Sequence, residues 1–173
     1  MKALATVLVV PVVALIAAGC GSGGGSTTAS STAASGAGSE TSSQSQTAAS
    51  SGPKVSASSV SGLGTVLTDA EGKTLYMFAP DRKREVTCTG SCSTIWPPLK
   101  IQAGEKPVAS GSVKAGLLGS DPDPEGGEVV TYAGWPLYTY ISDTKAGVAS
   151  GQAVNLNGGY WYVLSPAGKV IKK

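Results

Sequence analysis

The chain contains no histidine. That absence excludes histidine-based catalytic triads, most catalytic zinc sites and ordinary covalent haem attachment. Charge is thin as well: 13 Lys and Arg stand against 11 Asp and Glu, so no basic field steers the protein toward nucleic acid, and no nucleic-acid partner is expected. The tripeptide Arg82-Lys83-Arg84 is the one basic cluster and reads as a solvated loop tip. Aromatics are missing from the whole N-terminal region; all three Trp, all six Tyr and the one Phe lie between Tyr76 and Tyr162. Only the C-terminal part can therefore build a core, and about 115 residues suffice for one domain.

Long apolar runs are absent except at the start. Met1-Lys2 gives a short positive beginning, and Ala3 to Ala18 is apolar but for Thr6 and Pro11. A spanning helix needs about 20 apolar residues, so residues 1–19 read as an export signal. The junction Ala17-Ala18-Gly19-Cys20, with Leu15 and Ile16 upstream, resembles the lipobox of bacterial lipoproteins. That resemblance implies a diacylglycerol on the Cys20 thiol, cleavage before Cys20, and a protein lipid-anchored to a bacterial membrane on its extracytoplasmic side. Each buried methylene adds about 0.8 kcal/mol, and two or three chains anchor stably. Residues 20–57 are then the anchored cysteine and a linker of Gly, Ser, Thr and Ala that cannot bury enough apolar surface to order. Such a tether separates its ends by on the order of 35 Å.

From Val55 onward, short apolar runs alternate with turn residues, which is a β pattern. Leu75-Tyr76-Met77-Phe78-Ala79-Pro80-Asp81 returns as Leu137-Tyr138-Thr139-Tyr140-Ile141-Ser142-Asp143, and a Trp comes after each copy, at Trp96 and Trp161. The expected fold is all-β: two pseudo-repeated antiparallel meander units, about 62–105 and 126–171, packed into one monomeric domain over 58–173 behind the linker. Hairpins are expected at Asp69 to Gly72, at Ala133-Gly134 and at Ser165 to Gly168. Val113 to Leu118 is either one helical turn or a short strand, and Asp121 to Glu125 an exposed acidic loop.

Strand alternation puts Tyr76 with Phe78, and Tyr138 with Tyr140, on one side, and Leu75 with Met77, and Leu137 with Thr139 and Ile141, on the other. Asp81 and Asp143 suit two roles. Each can bind backbone N–H groups in the turn that ends its strand, in which case Asn costs little and Ala about 1 kcal/mol. Alternatively the carboxylates and phenols converge on a cleft and recognise a sugar, a cation or a peptide end. With Cys20 acylated, Cys88 and Cys92 remain as a pair, and export makes a disulfide the default, constraining the unfolded chain by roughly 2 kcal/mol. The alternative is a reduced pair holding Cu(I) with Met77 as third ligand.

The two Tyr-x-aromatic-x-x-Asp copies, the Cys88-x-x-x-Cys92 before Trp96-Pro97-Pro98-Leu99, and Gly151-Gln152 before Trp161 resemble the secreted-repeat lipoproteins. Those are generally described as of unknown function. The resemblance implies that Tyr76, Phe78, Asp81, Tyr138, Tyr140 and Asp143 are the motif positions, without giving them a job. The expected function is a non-enzymatic envelope lipoprotein that binds a small ligand or envelope partner through that motif, without cofactor; the alternative is an envelope redox or Cu(I)-handling protein using Cys88 and Cys92.

Overall fold

The computed structural model describes residues 52–81 and 84–173. The export signal, Cys20 and nearly all of the linker expected from the sequence lie outside the described residues. What is described is strands, with one short helix and one 3-10 turn.

Strands β1 (Lys54–Val60) and β2 (Gly64–Thr68) form an antiparallel hairpin, so the fold is already under way at Lys54, ahead of residue 58. After β2 the chain reverses at Asp69 to Gly72. Asp69 Oδ1 accepts the N–H groups of Glu71 at 3.1 Å and Lys73 at 2.8 Å, and Gly72 supplies φ 80°. The return leg enters β3 (Tyr76–Phe78). Helix α1 (Ser91–Ile95) and β4 (Lys100–Ile101) come next, and β5 (Val108–Ala109) then runs parallel to β1. A 3-10 turn at Ala115–Leu117 leads into β6 (Leu118–Pro122), which pairs antiparallel with β7 (Glu128–Tyr132). Between β7 and β8 (Trp135–Pro136), Ala133 and Gly134 have φ 53° and 81°, the two positive values a two-residue type I′ hairpin requires. Last come β9 (Asn155–Leu156) and β10 (Gly159–Val163), then the tight turn at Ser165 to Gly168.

Among the described residues the strands form three sheets, in the orders β2-β1-β5, β3-β10-β9 and β4-β7-β6, with β8 also on β7. The two motif segments meet in the middle. Tyr76 donates its N–H to Tyr138 C=O at 2.8 Å, and Tyr138 returns its N–H to Tyr76 C=O at 3.0 Å, a reciprocal antiparallel pair that relates one repeat to the other. Downstream of the motif, each repeat lends its chain to the other. Leu99 of the first lies between Leu137 and Val130 of the second, while β10 of the second pairs with β3 of the first and Leu164 accepts the N–H of Leu67. Neither repeat closes its own sheet, which is why both share one core.

The motif strands divide that core in two. Leu75, Met77 and Leu137 pack with Val55, Leu67, Val130 and Tyr132, whereas Tyr76, Phe78 and Tyr138 pack with Trp96, Trp161 and Val163. The alternation expected from the sequence holds except at Ile141, which is exposed because the strand has already turned at Asp143.

Val113 to Leu118, open between a helical turn and a strand, holds a 3-10 turn at Ala115–Leu117 that runs into β6. Trp96 comes directly after α1, its N–H reaching Cys92 C=O at 2.8 Å. The expected exposed acidic loop is not one: β6 reaches Pro122, and Asp121 and Asp123 are buried, because Arg84 and Lys100 pair with them.

Candidate functional site

Each motif strand ends in the same way. Asp81 gives its N–H to Phe78 C=O at 3.0 Å, and Asp143 gives its N–H to Tyr140 C=O at 3.0 Å. One carboxylate oxygen of each then binds the loop ahead: Asp81 Oδ1 accepts Thr87 N–H at 2.8 Å and the Thr87 hydroxyl at 2.6 Å, and Asp143 Oδ1 accepts Ser150 N–H at 2.9 Å. The other oxygen reaches across to the opposite repeat. Tyr76 donates its hydroxyl to Asp143 Oδ2 at 2.5 Å, and Tyr138 donates its own to Asp81 Oδ2. A tyrosine of each repeat is thus held by the aspartate of the other. All four side chains are buried; Asp143 is the most exposed at 2 %.

Aromatic rings cross over in the same sense. Phe78 stacks on Trp161, Trp161 on Trp96 and Trp96 on Tyr140, with centroids 4.2, 3.9 and 4.1 Å apart. The third motif position of each repeat therefore caps a tryptophan of the other, and Tyr76 and Tyr138 meet Trp96 and Trp161 edge-on. Gly151 permits this closeness, since a Cβ there would stand 2.6 Å from the Trp96 ring and 3.0 Å from that of Tyr76. Its N–H also donates to the Tyr76 hydroxyl at 3.2 Å.

Burial pushes the Tyr76 and Tyr138 hydroxyls well above the usual phenol range, and the facing carboxylates add to it. It also raises the Asp81 carboxyl, against the opposing pull of Thr87 and Tyr138. Both phenols therefore stay protonated, as hydrogen-bond donors, at neutral pH. Their chemistry is cohesive.

A family model described as a secreted repeat of unknown function matches residues 58–100 and again 121–165. The chain belongs to that secreted-repeat family. Each matched segment carries one Tyr-x-aromatic-x-x-Asp copy, so the interlocked halves are the two secreted repeats, and the protein is extracytoplasmic. Neither a curated protein nor a solved structure matches the chain.

In this secreted-repeat protein Cys88 and Cys92 are joined in a disulfide and are both buried beside Trp96. Met77, the expected third ligand of a copper site, packs in the other core cluster, on the opposite face of β3. Sequence reasoning missed Thr87 and Ser150, although a hydroxyl residue does stand six or seven positions after each motif Asp. It placed Asp121 in an exposed loop, whereas Asp121 is buried within β6.

Proposed function

We propose that this protein is a lipid-anchored, non-enzymatic binding module of the cell envelope, held by acylated Cys20 on a tether that ends where β1 begins at Lys54. In this reading the family motif is the clasp of the module, and its ligand or envelope partner meets other parts of the surface. One observation carries it: both motif carboxylates are buried and fully engaged, by the phenol of the opposite repeat and the loop of their own. Groups so deeply buried, with both oxygens already hydrogen-bonded within the protein, are out of reach of a substrate. Membership of a secreted family supports the export signal, and the resemblance of Ala17-Ala18-Gly19-Cys20 to a lipobox supports the anchor. The domain acts as a monomer.

Mass analysis of the N-terminal peptide from membranes tests the anchor. It should begin at Cys20 and carry acyl mass, and Cys20→Ala should release the protein from the membrane fraction. An unmodified peptide beginning elsewhere overturns the anchor. Thiol counting on the same material tests the alternative role of Cys88 and Cys92; no free thiol is expected before reduction.

A further inference from the structure

Beside β6 lies a hollow of about 240 Å³ that plays no part in the clasp. Its walls include Leu117, Leu118, Gly119, Asp121 and Thr131, and Arg84 stands at its rim. Asp121 is 2 % exposed, yet its Oδ2 has no hydrogen-bond partner among the described residues, which is costly for a buried carboxylate oxygen. Its Oδ1 is held by Arg84 Nε at 3.1 Å, while the Arg84 side chain is 78 % exposed. The Arg84 backbone sits at φ 70°, a region that side-chain-bearing residues rarely adopt, with its N–H on Gly134 C=O at 3.3 Å. The chain thus holds a guanidinium beside the hollow and leaves one buried carboxylate oxygen of a lining residue without a partner.

The charges decide what fits. Arg84 already neutralises Asp121, so a cationic ligand would meet a site with no net negative charge. A hydroxyl serves better, because it donates to Asp121 Oδ2 while its own oxygen accepts from Arg84 or Thr131. Neighbouring hydroxyls on one small ring satisfy both at once. The hollow is smaller than a typical drug-sized pocket, which suits one ring better than a larger ligand. We propose that this hollow binds a neutral saccharide unit of a glycan, with Asp121 Oδ2 accepting a sugar hydroxyl and Arg84 donating to its neighbour. The proposal rests on the reading of the protein as a binding module and names the ligand class of that module.

The test is titration of the full chain, monitored by amide NMR, with maltotriose, chitotriose and putrescine as separate probes. At least one saccharide is expected to shift the Gly119, Thr131 and Gly134 amides saturably, and putrescine to leave them unmoved. Asp121→Asn should weaken saccharide binding about tenfold or more, since a charged acceptor is replaced by a neutral one. Thr131→Val, close in volume, provides a second variant should Asp121→Asn unfold. Silence at these amides with both saccharides overturns the proposal, as does unchanged affinity in both folded variants. Saturable shifts with putrescine alone would overturn the saccharide class while leaving a binding module. Anchoring is read separately, from the mass of the Cys20 peptide, so the two failures are distinguishable.

Discussion

If the repeats are clasped crosswise, then Tyr138 must couple energetically to Asp81 of the other repeat and not to Asp143 of its own. Tyr138→Phe keeps the ring, and with it the edge-on contact to Trp161, but removes the donor to Asp81 Oδ2. A hydrogen bond to a charged partner contributes about 1.5–3 kcal/mol, and here the carboxylate left behind is wholly buried. We expect a loss of about 2 kcal/mol, which in a domain of this size lowers Tm by roughly 8–16 °C. Asp81→Asn should cost a similar amount, more than the sequence led us to expect. An amide has one acceptor oxygen, so either Tyr138 or Thr87 would face an NH₂ group where it now donates to oxygen.

Double-mutant cycles then separate the pairings. Within Tyr138/Asp81 and within Tyr76/Asp143, the second substitution removes a bond already broken, so about 1 kcal/mol or more of the summed cost should vanish. Across Tyr138/Asp143 and Tyr76/Asp81 the effects should add to within about 0.5 kcal/mol. Urea melts of the four single and four double variants measure this. Stronger coupling within a repeat than between repeats would refute the crosswise clasp, and with it the account of why two motif copies occur in one chain.

Alkaline stability depends on the same phenols. Their folded pKa values are raised, so above about pH 10 the unfolded chain releases protons that the fold retains, and stability falls as pH rises; two phenols lose about 3 kcal/mol between roughly pH 9 and 11. The double variant Tyr76→Phe, Tyr138→Phe should flatten that slope, and an equal slope in both proteins would show that other groups set it. Gly151→Ala should destabilise by about 1–3 kcal/mol, because the added methyl meets the Trp96 ring at 2.6 Å; an unchanged melting temperature would contradict the packing described. Replacing Cys88 and Cys92 together by Ser should lower stability by roughly 2 kcal/mol without loss of fold, and a larger cost in a folded variant would mean that the bond does more than limit the unfolded chain.

The strands were legible because alternation and turn chemistry are local. Ala133-Gly134 marks a hairpin wherever it stands between two β runs, and the side of each residue from Leu75 to Phe78 is set by the pleat alone. The repeat was legible too, down to the tryptophan after each copy. What the sequence did not reveal was non-local. Whether Tyr76 meets Asp81 or Asp143 depends on how the repeats exchange strands, and two identical motifs read the same either way. Asp121 to Glu125 misled for a related reason: acidic residues in a Pro-rich stretch are solvated unless cations from elsewhere cover them, and Arg84 and Lys100 come from distant parts of the chain.

The spacing within Tyr-x-aromatic-x-x-Asp is explained by that interlock. One residue separates the Tyr from the aromatic ring because both must leave the same face of the strand, the Tyr to meet the tryptophan of its own repeat edge-on and the aromatic to cap the tryptophan of the other. Three more bring the Asp to the point where its N–H closes on the aromatic residue's C=O and its carboxylate turns back into the core. Every position of the motif is thereby spent on joining one repeat to the other. The motif therefore specifies the scaffold and leaves ligand choice to residues outside it. In this chain the place we propose for that choice is the buried, half-paired Asp121 beside Arg84, within the second repeat but before its motif begins.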